Sequence, residues 1–120
     1  MNKRNIRTAT DEELLRQFEE DAQIHGALRT AKEANRAFDE SVAIWRELKH
    51  RGKVAIDLFL QLLNSPRPEV RLLCASNALF IVPELAEPIL ERLVSEPKFI
   101  GISAYMTLKQ WRAGKLKPLI

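Results

Sequence analysis

The side chains able to do chemistry in this chain are few and scattered. Cys74 is the only cysteine, and the two histidines are His25 and His50. A metal site needs such ligands clustered at short, defined spacings. These three stand far apart, with no second soft ligand one helical turn away, so neither a metal nor another cofactor is expected. Cys74 lies among Leu72, Leu73 and Ala75, which makes it a small buried hydrophobe rather than an activated thiolate. His25 falls on an apolar stripe and reads as a partly buried, hydrogen-bonded imidazole. Phosphate-cradling glycine loops, nucleophile elbows and dinucleotide fingerprints are missing.

Two polar groupings remain. Asn35 and Asp39 lie one helical turn apart, and Arg36 precedes Asp39 by three, so they flank Phe38 on one face. They could bind a polar partner or work as an acid–base pair. The structural alternative, a network that ties this helix to its neighbour, is favoured, because buried polar groups generally exist to satisfy other polar groups. The second grouping is the C-terminal segment. From Pro97 onward it holds Lys98, Lys109, Arg112, Lys115 and Lys117 and no acid. Such a tail suits an acidic partner or a phosphate backbone, although cations also gather at helix C-termini for the sake of the dipole.

The elements that must position these residues are helical throughout. Thr10-Asp11-Glu12-Glu13 has the form of a capping box, Thr10 accepting from the third amide and Glu13 reaching back. Residues 1–9 read as a flexible arm before it. Leu14, Leu15, Phe18, Ala22, His25 and Leu28 follow at helical spacing. A second stripe runs through Ala34, Phe38, Val42, Trp45 and Leu48 and stops at Gly52. The boundary between these two helices falls near Arg29-Thr30. The dense run Lys53 to Leu63 favours helix by its length and leucine content.

The stretch "NSPRPEVRLLCASNAL" (64–79) then sets a corner. Pro66 and Pro68 force the residues before them into extended conformations, and Pro68 suits the first helical position. The helix it opens is apolar around most of its circumference. Arg71 is expected to pack its stem in the core and bond an acid or a carbonyl, with Asp57 as the candidate acid. Pro83 and Pro88 follow five residues apart. Either Pro83 opens a helix that Pro88 bends in its second turn, or a turn over 83–86 precedes a helix starting at Pro88. The second is favoured, because an interior proline loses a hydrogen bond and clashes, with Ile89, Leu90, Leu93 and Val94 buried. Ile100, Ala104, Tyr105, Leu108 and Trp111 mark the last helix, where Gly101 and Ser103 permit close approach. Trp45 and Trp111 both sit on apolar stripes as core residues. No segment alternates with period two.

The chain therefore reads as all-α, with about six helices in antiparallel hairpins stacked as a short HEAT-like α-α superhelix. The stretch "LQLLNSPRPEVRLLCASNAL" (60–79) resembles a HEAT repeat in its Leu-Leu pair, Pro68 at the corner, Val70-Arg71, and Ala75 with Ala78-Leu79. The whole chain is similar to a small bacterial HEAT-like family described only as a domain of unknown function. The likeness rests on "ELLRQF" (13–18), "NRAFDE" (35–40), "RELKHRG" (46–52), "EVRLLCASNAL" (69–79) and "AYMTLKQWRAG" (104–114). It implies a fold and supplies no activity.

Composition agrees with one globular domain spanning 1–120, with 46% hydrophobic and 29% charged residues. The net charge of +3 is uneven, with nine basic and ten acidic residues in 1–50 against ten and six in 51–120. The longest apolar run, Ala78 to Val82, cannot span a bilayer. The basic start is followed by no apolar segment, so neither a secretory leader nor membrane contact is expected, and a cytoplasmic location is. The reading is a non-enzymatic module that binds another protein. Weak nucleic-acid binding through the basic C-terminal helix is the first alternative, and a cryptic hydrolase using Asp39 or Cys74 is the second. A homodimer that covers an open apolar end is a further expected arrangement.

Overall fold

The computed structural model describes residues 3–27 and 30–118. Met1 and Asn2 of the expected arm, and Leu28 and Arg29 near the expected helix boundary, lie outside the described residues. Helices account for the fold, and no strand occurs among the described residues. Contacts divide the chain into two compact units, 1–61 and 62–120, where the sequence reads as a single domain.

The first unit holds α1 (Lys3–Thr8), α2 (Asp11–Gly26), α3 (Ala31–Arg51) and α4 (Lys53–Leu60). The expected arm is thus partly a helix. The side chain of Ile6 is buried, and Arg51 ties down the carbonyl end of α1. Its Nη2 donates to the carbonyls of Ile6 at 3.0 Å and Arg7 at 3.3 Å, and its Nη1 to Asp11 Oδ1 at 2.8 Å. Those carbonyls have no intrahelical partner of their own.

The Thr10–Glu13 capping box is complete. Glu13 N–H donates to Thr10 Oγ1 at 3.1 Å, and Thr10 N–H to Glu13 Oε1 at 2.9 Å. The break between α2 and α3 is set by Thr30, which accepts from Glu33 N–H at 3.2 Å. Gly52, at φ 105°, ends α3 as the sequence requires.

Leu14, Phe18 and Ala22 of α2, Ala37, Ile44, Trp45 and Leu48 of α3, and Ala55 and Phe59 of α4 form this unit's core. Phe59 is its hub, meeting Phe18 edge-on at 5.0 Å and stacking on Trp45 at 4.3 Å. Each such pair contributes about 0.5–1.5 kcal/mol beyond simple burial.

The chain passes through a single 3-10 turn, Gln61–Asn64, to the second unit: α5 (Pro68–Ala78), α6 (Pro83–Leu93) and α7 (Lys98–Arg112). Pro68 opens α5, and Arg67 is extended at φ −95°, ψ 120°. Val70, Leu72, Leu73, Cys74, Ala75 and Ala78 of α5 are all buried. Arg71 closes the corner by donating from Nη1 to the carbonyl of Ser65 at 2.7 Å. Asp57, expected as its acid, pairs instead with Lys53 one turn earlier, at 2.7 Å.

The expectation for Pro83 and Pro88 is corrected. The helix starts at Pro83 and runs through Pro88. Ala86, Leu90 and Leu93 recur at four and three residues and are buried, so only an unbroken helix puts all three in the core. Pro88 is exposed on the opposite side. There the Glu84 carbonyl, deprived of its N–H partner, can be hydrated, which lowers the usual penalty of an interior proline. Val94, expected in the buried stripe, is 38% exposed.

Gly101 is buried where α7 meets the preceding turn. A Cβ on it would stand 2.1 Å from the Glu96 carbonyl oxygen and 2.8 Å from that of Val94.

Candidate functional site

The polar residues singled out in α3 do not form a buried network. Asn35, Arg36 and Asp39 are all exposed. The buried polar group between α2 and α3 is one the sequence reading passed over, Asp21, which is 1% exposed in the middle of the Leu14–Phe18–Ala22 stripe. Its Oδ1 accepts from Gln17 Nε2 at 3.3 Å, while the buried Oδ2 meets no N–H donor and the carboxyl adjoins that of Glu40. Burial, and then the adjoining carboxyl of Glu40, push its pKa up to about 8. Its position three residues after Phe18, on the apolar face, was the available signal. On α3, the buried Ser41 donates to the carbonyl of Phe38 at 2.6 Å.

The soft nucleophile is equally enclosed. Cys74 is fully buried, and loss of solvation raises its thiol well above the ordinary range. Such a group stays a neutral thiol at physiological pH, the opposite of what nucleophilic catalysis needs. His25 rests against Phe38 at 5.3 Å between ring centroids, with Nδ1 3.4 Å from the Ala34 carbonyl oxygen, so it is the satisfied imidazole its stripe implies. Among the described residues, no three His, Cys, Asp or Glu side chains gather to hold a metal ion.

An open cleft of about 490 Å³ lies between α1 and α3, lined by Ile6, Arg7, Ala43, Arg46, Glu47 and His50. Arg7 stands in the closing turn of α1, where the helix dipole favours a cation without any ligand, and Arg46 is exposed before the last turn of α3. Glu47 is taken up by Arg51 Nε at 2.8 Å.

The basic C-terminal residues separate into two kinds. Arg112 is occupied, donating to Glu91 and lying 3.6 Å from Glu87. Beside it Trp111, half-buried rather than wholly in the core, donates from Nε1 to Glu87 Oε1 at 2.7 Å and meets Phe80 edge-on at 5.5 Å. Lys109 and Lys115 are exposed, as is Lys98 at the other end of α7.

Between these lysines lies the feature that the sequence reading missed. Ile102, Tyr105 and Met106 are 67%, 53% and 45% exposed. Ile102 precedes Tyr105 by three residues and Met106 by four, so the three border one face of α7, while Gly101, Ala104 and Leu108 are buried. Among the described residues, seven of the eight large exposed hydrophobic side chains lie in the second unit, leaving only Val54 in the first. Scattered apolar residues are normal on a surface; these three instead share one face of a single helix.

No described helix is long and apolar enough to cross a membrane. No protein-family model and no curated protein matches the sequence. Among solved structures, the crystal structure of the protein RPA1889 from Rhodopseudomonas palustris CGA009 is similar. It has 27% sequence identity and a TM-score of 0.83, over 94% of this chain and 97% of that one. That likeness supports the all-α fold and brings no activity with it.

Proposed function

We propose that this chain is a protein-binding module of HEAT-like helical pairs that docks its partner on the outer face of α7. The observation that carries this reading is the exposed row Ile102, Tyr105 and Met106 on a helix whose opposite face is buried in the second unit. Three large apolar groups, each about half exposed on one element, gain on the order of 1 kcal/mol each if a partner covers the rest of them. Nucleic acid fits this face less well. A phosphate backbone asks for a line of cations, and here apolar side chains separate Lys98 from Lys109 while Arg112 is engaged by acids of α6. Hydrolysis through Cys74 would need a thiolate that its burial opposes.

The test is a photo-crosslinking residue placed at Tyr105 and, as a control, at the exposed Asn35 on α3, with the full chain in the cells that make it. A discrete protein adduct from position 105 that is absent from position 35 is the expected result. Equal labelling at both positions, or none at 105, rejects the reading.

A further inference from the structure

We infer that the occupant of the α7 face is an acidic amphipathic helix of another protein; this rests on the docking reading above and specifies its partner. Three features of the face select that chemistry.

The first is shape. α7 is 15 residues long, about 22 Å at 1.5 Å per residue. Between its end turns, where Ile102, Tyr105 and Met106 lie, the backbone N–H and C=O groups are spent within the helix, so a partner gains no main-chain hydrogen bonds along that face. An extended segment would bring unpaired backbone groups onto an apolar row. A helix arrives with its own backbone satisfied and sets ridges of side chains between Ile102, Tyr105 and Met106.

The second is charge. Lys98 lies four residues before Ile102, at the first position of α7 with φ 57°, and Lys109 four residues after Tyr105, so an exposed cation stands toward each end of the apolar patch. Among the described residues neither ammonium has a carboxylate partner, whereas Arg112 on this side of α7 is engaged by Glu91. No acid occurs on α7 or after it. A partner helix with carboxylates flanking its apolar stripe meets both free lysines. One with basic flanks meets like charge at each end.

The third is the polarity of α7 itself. No acid stands in its first turn and no side chain caps it. Lys98 therefore sits at the pole where a helix favours negative charge, and a carboxylate brought there by a partner satisfies the lysine and the dipole together.

The experiment uses two synthetic helical peptides with the same leucine stripe, one flanked by Glu and the other by Lys, each labelled and titrated with the full chain by fluorescence anisotropy. The Glu-flanked peptide is expected to bind at least about 10-fold more tightly than the Lys-flanked one, the gap closing in high salt as exposed charges are screened. Its binding should be lost in Ile102→Ser/Met106→Ser. It should weaken about 10-fold in Lys98→Gln/Lys109→Gln, two exposed sites whose substitution leaves the core untouched. Equal affinity for both peptides, no binding of either, or indifference to Lys98→Gln/Lys109→Gln overturns the inference. So does a concentration-dependent dimer in light scattering that Ile102→Ser/Met106→Ser dissolves, because the occupant is then a second copy of the chain. Crosslinking from Tyr105 to a protein without an acidic helix also removes it, while leaving the docking reading standing.

Discussion

Asp21 on α2 lies against the carboxyl of Glu40 on α3 inside the first unit, and burial together with that neighbour pushes the pKa of the Asp21 carboxyl up to about 8. Desolvation of Asp21 is the main cause, since its Oδ2 lies buried with no N–H donor to accept from. The group's pKa rises from 3.8 in the open chain to about 8 in the folded one. Its contribution to stability is therefore fully present below pH 3.8, declines as the pH rises, and is lost above about 8. The chain should resist urea better at pH 5 than at pH 8. Asp21→Asn, which cannot ionise, should flatten that slope and stabilise the protein at pH 8 by on the order of 2–4 kcal/mol. Urea midpoints of both proteins across this range provide the check. A parallel pH dependence in the variant would show that Asp21 is not the group responsible.

The two helix starts of the first unit rest on threonines. Thr10 and Thr30 each accept from the amide three residues on, at 3.1 and 3.2 Å. Thr10→Ala and Thr30→Ala should each cost about 1 kcal/mol, while glycine at either position should cost only a few tenths. The Thr10 site has an acid limb as well. Hydrogen bonding from the Thr10 backbone holds the Glu13 carboxyl below its ordinary range, so what that bond contributes is present at neutral pH and fades as the pH falls through the Glu13 titration. Thermal denaturation of the four variants at pH 7, and of Thr10→Ala at pH 3, measures both effects.

Pro88 costs the second unit stability without serving its core. It occupies the exposed side of α6 and leaves the Glu84 carbonyl without an intrahelical donor. Pro88→Ala restores that bond and removes the ring clash, gains that outweigh the extra freedom of the unfolded chain. The melting temperature should rise, by an amount corresponding to about 1–2 kcal/mol. If Pro88→Ala lowers it, the bend at Pro88 is needed for packing and the account of this helix is wrong.

The helical fold was legible because its signals are local. A capping threonine, a proline at the first helical position and a stripe repeating every three or four residues each act within a turn or two, and Thr10, Pro68 and the Leu14–Phe18–Ala22 row all read true. Even the break at Thr30 was spelled out by Thr-Ala-Lys-Glu, the same capping pattern as at Thr10, although the reading fixed on Arg29-Thr30 without it. At Pro88 local cost alone predicts a helix start, whereas the burial of Ala86, Leu90 and Leu93 on the far face decides the outcome. Asp57 and Arg71 failed as a pair because each found a nearer partner, Lys53 and the Ser65 carbonyl. The α7 face escaped notice for a different reason. Ile102, Tyr105 and Met106 have the composition of a core stripe, and only the packing of Gly101, Ala104 and Leu108 shows which side of α7 faces inward. Periodicity locates an apolar face, but the neighbouring elements determine whether it is covered.

Gly101 tests that orientation of α7 directly. A methyl group there would sit 2.1 Å from the Glu96 carbonyl oxygen and 2.8 Å from that of Val94, both backbone atoms that cannot swing aside. In an open helix, glycine to alanine is favourable by about 0.8–1.0 kcal/mol. Here the overlap should reverse the sign, and Gly101→Ala should destabilise the protein by roughly 1–3 kcal/mol through displacement of the turn from α7. Ser103→Ala, a neighbouring change that adds no volume, controls for general sensitivity of the helix. Loss of stability in Gly101→Ala alone, read from urea midpoints, fits a helix pressed onto residues 94–96 with Ile102, Tyr105 and Met106 turned outward. Stabilisation by Gly101→Ala would mean that α7 packs by another face, and the docking surface would have to be sought elsewhere.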